Sequence, residues 1–352
     1  CRTGTARSPV SARRGTDTLL RRGAARGTPR PDPGLLTAAG NEARPQQQGT
    51  PRSQLDAVLA RVDANLDASL DRLFTLLRFQ SISTDPAYKA QTAEAASWLV
   101  AELNGLGFKA EMRPTPGHPM VVAHASDAPA GRRTLFYGHY DVQPVDPLKL
   151  WNSDPFEPQV ETRADGTKLI RARGSSDDKG QLMTFVEACR AWKEETGALP
   201  ANVSILFEGE EESGSPSLVP FLEENKEELS LDLALICDTG MWDAKTPAIC
   251  TMLRGLMGEE IVIKAADRDL HSGLYGGAAQ NPIRVLARIL ADLHDDQGRV
   301  TLDGFYDGVS DLPEDIAAQW EKLGFTAEAF LGEVGLGVPA GEKDRPALQQ
   351  IW

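Results

Sequence analysis

The stretch that most constrains how this chain can fold is residues 135–144, Leu-Phe-Tyr-Gly-His-Tyr-Asp-Val-Gln-Pro, where a histidine and an aspartate follow a short apolar run. The run at residues 135–137 predicts a buried strand that ends at the glycine. In open α/β sheets, sites form beyond the carboxyl ends of the strands. His139 is therefore a candidate metal ligand, and Asp141 can fix its tautomer and raise its basicity. A polar turn that merely closes a strand would give the same short pattern.

Three further predicted strands are also followed by acidic residues. Asp177 and Asp178 come after one, three consecutive glutamates at residues 210–212 come after the next, and Asp238 comes after the last. Each case alone has a simpler explanation, because an aspartate after a strand often caps a helix and a glutamate run is often a solvated surface. Carboxylates that converge on one sheet edge repel one another, however, so a positive charge is expected among them. A pair of divalent cations supplies that charge.

The residue types at these strand ends narrow the choice of metal. Imidazole and carboxylate ligands without thiolates favour Zn²⁺, with Mn²⁺ or Co²⁺ as alternatives. Two ions ~3.5–4 Å apart need a bridging carboxylate, and a base must take a proton from water. One of two adjacent glutamates can bind metal while the other is that base. The pattern therefore indicates metal-assisted hydrolysis of an amide.

Apolar periodicity predicts an α/β domain around these strand ends. Amphipathic helices are predicted at residues 55–79, 92–106 and 181–196, with another from about residue 216. Helices that alternate with short apolar strands are typical of α/β proteins. The predicted strands are residues 108–112, 120–124, 134–138, 168–172, 202–207 and 233–237.

The pattern changes at about residue 247, which predicts a domain boundary there. Residues 248–253 and 260–265 are predicted to pair as antiparallel strands, and residues 269–277 form a polar loop. A helix is predicted at residues 281–293, since Asn281 can cap it and proline suits the first helical position. We therefore expect one domain at residues 54–246 and a second at residues 247–352.

Residues 1–53 differ in composition from the rest of the chain. They hold ten arginines and three acidic residues with few aliphatic side chains. Such a segment cannot bury enough apolar surface to offset its ordering entropy. We expect a disordered extension rich in Arg, Gly and Pro, or a misplaced start of the reading frame. A transit peptide or a nucleic-acid tail is the weaker alternative.

Composition also excludes some classes of partner. The formal net charge of −14 argues against nucleic acid, whose phosphates need a basic face. No apolar run approaches the ~20 residues that span a bilayer, so no membrane partner is expected. Cys1, Cys189, Cys237 and Cys250 show no CxxC spacing, and buried free thiols suit a reducing cytoplasm. We expect a cytoplasmic protein.

Taken together, four motifs resemble those of one known family. They are His139-Tyr-Asp, Arg173-Gly-Ser-Ser-Asp-Asp-Lys-Gly, Glu208-Gly-Glu-Glu-Glu-Ser-Gly-Ser and Asp269-Leu-His-Ser-Gly. They are similar to those of the co-catalytic zinc exopeptidases that include carnosinase, cytosolic non-specific dipeptidase, carboxypeptidase G, acetylornithine deacetylase and succinyl-diaminopimelate desuccinylase. Asp154-Pro-Phe-Glu-Pro looks most like the dipeptidase branch. The resemblance implies an α/β catalytic domain with a mixed central sheet flanked by helices, and an inserted α+β lid that carries a homodimer interface.

The resemblance also implies roles for individual residues. His139 and Asp238 would bind one zinc ion, Asp177 would bridge two, and Glu212 would bind the second. Glu211 would be the general base, and Asp141 would orient His139. His271 in the lid would reach the site of a partner subunit and steady the oxyanion, although an ordinary loop histidine is the alternative. The peptide bond between Asp177 and Asp178 would be cis.

One feature of the family pattern is missing from this chain. The family has a further histidine ligand near its C-terminus, and here the last histidine, His294, falls in a predicted helix outside any matching motif. We therefore expect an N-terminal fragment with an incomplete lid, which binds the second metal poorly and turns over little substrate. The expected activity of the parent protein is two-zinc hydrolysis of dipeptides. The alternatives are a deacylase of N-acyl amino acids and an inactive binding or dimerisation module.

Overall fold

The computed structural model describes residues 52–126, 130–243, 245–250, 253–256 and 258–351. Almost all of the Arg-rich segment, with Cys1, lies outside these ranges. The helices are α1 (Arg52–Ala64), α2 (Leu66–Arg78), α3 (Lys89–Gly105), α4 (Lys179–Thr196), α5 (Leu218–Glu224), α6 (Lys226–Leu229), α7 (Ser272–Tyr275), α8 (Pro282–Ala291), α9 (Glu314–Glu321), α10 (Ala327–Gly332) and α11 (Ala347–Gln350). The strands are β1 (Phe108–Arg113), β2 (Met120–Ala125), β3 (Arg133–His139), β4 (Gln159–Thr162), β5 (Lys168–Arg171), β6 (Asn202–Glu208) and β7 (Leu233–Ile236). None of the described helices is both long and apolar enough to cross a membrane.

The central sheet is mixed, as the family resemblance implies. Its five strands lie in the order β1-β2-β6-β3-β7. Strand β2 is antiparallel to both β1 and β6, whereas β6, β3 and β7 run parallel to one another. The register pairs His139 at the end of β3 with Glu208 at the end of β6. Because the three parallel strands run in one direction, their carboxyl ends meet at one edge of the sheet. That edge collects the polar residues that follow each strand.

Helices cover both faces of this sheet. On one face α2, α3 and α4 pack against it, and Phe136 of β3 stacks on Phe185 of α4 with ring centroids 3.8 Å apart. On the other face Phe221 of α5 and Leu229 of α6 complete a smaller cluster. Residues 120–123 of β2 alternate between the two clusters, so all four of these positions are apolar. A strand buried on both faces reads as a continuous apolar run.

The first predicted helix is divided in the structure. Instead of one helix over residues 55–79, α1 ends at Ala64 and α2 begins at Leu66, with a turn at Asn65. The side-chain amide of Asn65 donates to Glu194 Oε2 at 2.8 Å. Asparagine competes with the helical backbone for hydrogen bonds, which favours an interruption at this position. The apolar periodicity continues across the turn, and the sequence alone therefore predicts one helix.

Two strand predictions need correction. The strand at β5 is paired with β4, which the sequence analysis missed, in a separate two-stranded sheet. The predicted pair at residues 248–253 and 260–265 is wrong for the described residues there, which form no strand. Ile249 is 89% exposed and Leu253 is 90% exposed. A two-stranded ribbon is marginal unless another element covers its apolar side, and these side chains are uncovered.

A charged cluster fixes α6 to the outer strands of the sheet. Both guanidinium Nη atoms of Arg113 donate to the Glu228 carboxylate, at 2.8 and 2.7 Å, and His124 Nε2 lies 2.7 Å from the same carboxylate. Hydrogen bonding to Arg113 lowers the pKa of Glu228 from 4.5 to about 2, against a smaller opposing effect of burial. A depressed carboxyl pKa means that the folded state binds fewer protons than the unfolded state.

We expect the Glu228→Gln variant to lose part of the acid dependence of stability. The contribution of Glu228 is present above pH 4.5 and lost as pH falls towards 2. Because the side chain is 36% exposed, the contribution is below about 1 kcal/mol. Urea unfolding across this pH range measures it, with Glu227→Gln as the exposed neighbouring control. Equal pH slopes for both variants would contradict the assignment.

Candidate metal centre

The ends of β3 and β7, with the loop before α4, bring three of the predicted ligands together. One ligand atom each from His139, Asp177 and Asp238 all lie within 4.8 Å of one another. His139 is the last residue of β3, Asp177 lies just before α4, and Asp238 follows β7. The parallel pairing of β3 with β7 fixes two of the three positions.

His139 is fully buried at the centre of this group. Its Nδ1 donates to the Asp141 carbonyl at 3.2 Å and lies 3.3 Å from Asp141 Oδ1. Its Nε2 faces Asp177 Oδ1 at 3.1 Å and Asp238 Oδ2 at 3.6 Å. Burial acts to lower the pKa of His139, but Asp141 and the neighbouring carboxylates outweigh it and raise the pKa to about 10. The carboxylates therefore favour a positive charge at this point.

Asp141 connects the histidine to the glutamate loop. It is fully buried, and its two carboxylate oxygens accept the backbone N–H groups of Glu211 at 3.2 Å and Glu212 at 3.1 Å. The same carboxylate lies behind His139 Nδ1. One side chain thus fixes the imidazole and the backbone of both glutamates. The sequence predicts the contact of Asp141 with His139 and gives no signal for its contacts with the glutamate backbone.

Glu211 and Glu212 differ in what their side chains contact. Glu211 Oε2 lies 4.0 Å from His139 Nε2, and burial raises the pKa of the Glu211 carboxyl. Glu212 Oε2 instead accepts a hydrogen bond from Gln143 at 2.6 Å, and burial also raises its pKa. The three-residue group of His139, Asp177 and Asp238 does not include Glu212. Glu212 lies next to this group, and its role as a metal ligand stays a prediction.

Asp178 is a buried carboxylate whose contact the sequence did not reveal. A helix cap was one of its possible roles, yet at the N-cap of α4 its side chain makes no capping bond. Its Oδ2 accepts the backbone N–H of His139 at 3.0 Å, and its buried Oδ1 has no partner among the described residues. Burial raises the pKa of Asp178 to about 7. A Cβ at position 138 would lie 2.9 Å from Oδ2, which explains the glycine there. The peptide bond between Asp177 and Asp178 is cis, as expected.

Lys179 is a second buried residue that the pattern did not single out. Its side chain is fully buried, and Nζ donates to the carbonyls of Leu76 at 3.2 Å and Phe79 at 2.7 Å. An ammonium group at the carboxyl end of α2 is favoured by the helix dipole. Burial lowers the pKa of Lys179 to about 7. The lysine connects the loop of Asp177 to the end of α2.

Glu210 is also buried, so a solvated charge run is wrong for the first of the three glutamates. Its carboxylate is 3% exposed and accepts the backbone N–H of His118 at 2.9 Å and of Ser217 at 3.2 Å. A Cβ at Gly117 would lie 1.4 Å from Glu210 Oε1, so the close approach requires glycine. Hydrogen bonds to the backbone groups of His118 and Ser217 leave no periodic signal in the sequence.

We expect Glu210→Gln to destabilise the fold by about 1–3 kcal/mol. The amide NH₂ must face one of the two backbone N–H groups, and that N–H then has no acceptor. Chemical unfolding measures the loss. Glu223→Gln is the matched control, since Glu223 is exposed on α5. A loss no larger than that of the control would show that the two backbone contacts contribute little.

The structure does not bring His271 into this group. His271 is exposed and caps α7, with Nδ1 accepting the backbone N–H of Gly273 at 3.0 Å. The structure is that of a single chain, so a role across a subunit interface stays a prediction. The last histidine, His294, forms an isolated bridge to Val300.

The donor set of the group fits a divalent cation. One imidazole nitrogen and two carboxylates converge, with Glu211 beside them, and the group contains no thiolate. This combination suits Zn²⁺ or another first-row divalent ion. The buried Asp178 carboxyl, whose Oδ1 has no partner among the described residues, adds a further acidic group beside His139. An electropositive ion relieves the repulsion among these groups.

Comparisons with known proteins identify the family and relatives of this chain. A family model described as peptidase family M20/M25/M40 matches residues 135–346. The Cys-Gly metallodipeptidase dug1 of Schizosaccharomyces pombe is 28% identical over 86% of this chain and 65% of its own length. The Beta-Ala-His dipeptidase of Homo sapiens is 29% identical over 86% of this chain and 62% of its own. The chain thus spans less than two thirds of these relatives.

A solved structure of a family member has a similar fold. The M20 family metallo-carboxypeptidase Sso-CP2 from Sulfolobus solfataricus matches with a TM-score of 0.63 and 31% identity, over 78% of this chain and 61% of that one. The mixed sheet flanked by helices is therefore confirmed as the fold.

Proposed function

The chain belongs to peptidase family M20/M25/M40, and we propose that the protein hydrolyses the peptide bond of dipeptides with a divalent metal held by His139, Asp177 and Asp238. The convergence of these three side chains at the carboxyl edge of the sheet carries the proposal. The names of the relatives, a Cys-Gly metallodipeptidase and a Beta-Ala-His dipeptidase, support dipeptides as the substrate class.

The ligand assignment within the proposal distinguishes two ions. His139 and Asp238 would hold one, Asp177 would bridge both, and Glu212 would hold the second, with Zn²⁺ preferred over Mn²⁺ or Co²⁺. A bound divalent ion supplies a Lewis acid that polarises the scissile carbonyl and lowers the pKa of water. The contact from Gln143 to Glu212 supports a defined orientation of that carboxylate.

Glu211 is the proposed general base. Its carboxylate lies beside the ligand group, and its raised pKa brings it closer to neutral pH, where proton transfer is most efficient. It takes a proton from the attacking water and delivers it to the leaving amine. Asp141 keeps the backbone of Glu211 in place during both transfers.

The remaining assignments concern the whole protein. We propose a catalytic domain at residues 54–246 and a lid at residues 247–352 that forms a homodimer, in which His271 steadies the oxyanion of a partner subunit. We also propose a cytoplasmic protein that binds neither nucleic acid nor membranes. The expected extension at residues 1–53 lies almost entirely outside the described residues.

The substrate class is tested with the whole protein, purified and loaded with Zn²⁺ or Mn²⁺. Dipeptides, including Cys-Gly and β-Ala-His, are assayed beside N-acetyl and N-succinyl amino acids. The proposal expects cleavage of dipeptides with kcat/KM well above that of the acylated amino acids. The reverse order would favour the deacylase alternative. Metal binding without turnover of either class would favour a binding module.

A further inference from the structure

We propose that Gln181 is a positioning residue that sets the distance between the loops carrying Asp177 and Asp238. Its side-chain Nε2 donates to the carbonyl of Ser176 at 2.9 Å, and its Oε1 accepts the backbone N–H of Thr239 at 3.2 Å. Each contact falls one residue from a proposed ligand. The inference rests on the proposed metal site and adds a residue to it.

The two loops need such a connection because they belong to separate elements with little packing of their own. Asp177 has a side chain that is 62% exposed, and that of Asp238 is 34% exposed. Asp238 follows β7, a four-residue strand at the edge of the sheet whose residues are all exposed. The two carboxylates also repel each other without a cation between them. The Asp178 contact with the His139 backbone N–H holds the base of the first loop, and the Gln181 amide adds a direct link from that loop to the one that carries Asp238.

Gln181 comes from a rigid element. It lies in the first turn of α4, next to the fully buried Leu182 and to Met183, which is 2% exposed. Its amide therefore projects from a helix that the core holds in place, and it reaches both loops from there. A side chain on a packed helix positions a site more accurately than one on a loop.

The amide group is the only side-chain chemistry of this length that serves both contacts. One end must donate to a carbonyl and the other must accept from an N–H, which a glutamine does with a single group. A carboxylate would lose the donor and an ammonium would lose the acceptor. A methionine keeps the length without hydrogen bonds, and an asparagine keeps the amide but is one methylene too short to bridge both loops.

Metal affinity depends on the separation of the ligands before the ion binds. When Gln181 no longer holds the loops, part of the binding free energy is spent on bringing the two carboxylates together. Residues that orient ligands in this way typically change metal affinity 10–100-fold. Since Gln181 acts on the backbone next to the ligands, we expect the lower end, about 10-fold.

The test compares Gln181→Met and Gln181→Asn with wild type by calorimetric titration of the 352-residue chain with Mn²⁺. Both variants are expected to bind Mn²⁺ about 10-fold more weakly. Gln319→Met makes the same change at an exposed position of α9 and should leave the affinity unchanged. The melting temperature is measured with and without Mn²⁺. A positioning role reduces the rise in Tm on adding metal.

The outcomes separate this inference from the proposed function. Wild-type affinity in both Gln181 variants, or a lower Tm with an unchanged rise on adding metal, would overturn the positioning role while leaving the metal site intact. If wild type itself binds no Mn²⁺ and no Zn²⁺, the proposed function fails first, and the inference fails with it.

Discussion

Asp177→Asn is expected to weaken binding of Zn²⁺ or Mn²⁺ by about 100-fold or more. Changes behind the ligands already cost 10–100-fold, so removal of a charged ligand should reach at least the upper end. Asp177 Oδ1 lies 3.1 Å from His139 Nε2, and the carboxylate is the proposed bridge between two ions. The amide keeps the size of the side chain and removes its negative charge. Calorimetric titration of the metal-free protein measures the change.

The matched control for this prediction is Asp56→Asn, which makes the same substitution at an exposed position of α1. It should bind metal as wild type does. If Asp177→Asn retained wild-type affinity and stoichiometry, Asp177 would not be a ligand. Far-ultraviolet circular dichroism checks that the variant folds, and it is expected to do so because the Asp177 side chain is largely exposed.

The second large effect is expected for Glu211→Gln, which should bind metal as wild type does and lose turnover. Removal of a general base typically lowers kcat by about 10²–10⁴-fold. The amide cannot accept a proton, while the backbone N–H of residue 211 still donates to Asp141. Steady-state kinetics on a dipeptide that wild type cleaves, together with metal content by mass spectrometry, measure both properties.

Glu212→Gln provides the comparison for Glu211→Gln. It changes the neighbouring glutamate, whose proposed role is to hold metal, so it should lose both metal and turnover. If Glu211→Gln lost metal and Glu212→Gln kept it, the two roles would be exchanged. If Glu211→Gln kept wild-type kcat, neither the base assignment nor the hydrolytic mechanism would stand.

The sequence predicted the parts of the fold that depend on local pattern. The strands with apolar runs, and the helices with a clear period, lie within a few residues of their expected bounds. The ligand group could be predicted because parallel strands bring their carboxyl ends to one edge, whatever the details of packing. His139 and Asp238 follow from that rule, whereas Asp177 comes after β5, which lies in the separate two-stranded sheet.

The contacts that organise the site could not be predicted in this way. Asp178, Lys179 and Glu210 bind backbone groups far away in sequence, and no periodicity records such contacts. A charged residue in a polar motif is expected to be exposed, but these three side chains are buried against specific partners. The glycines at 117 and 138 are the one available signal, since each makes room for a carboxylate.

The failure at residues 248–265 has a different cause. Apolar alternation there predicts strands, but pairing depends on an element that covers the apolar side. Ile249 and Leu253 are exposed in this chain, and the described residues around them form no ladder. Strand propensity is a statement about packing as much as about the backbone.

The most direct test of the account is the position of a bound metal ion. Crystals of the protein grown with Zn²⁺ and measured at the zinc absorption edge should show an anomalous peak about 2.0–2.2 Å from His139 Nε2 and from carboxylate oxygens of Asp177 and Asp238. A peak at that point would confirm that the carboxyl edge of the sheet holds the cation. A fully occupied zinc ion elsewhere, with these three side chains free of metal, would contradict the account.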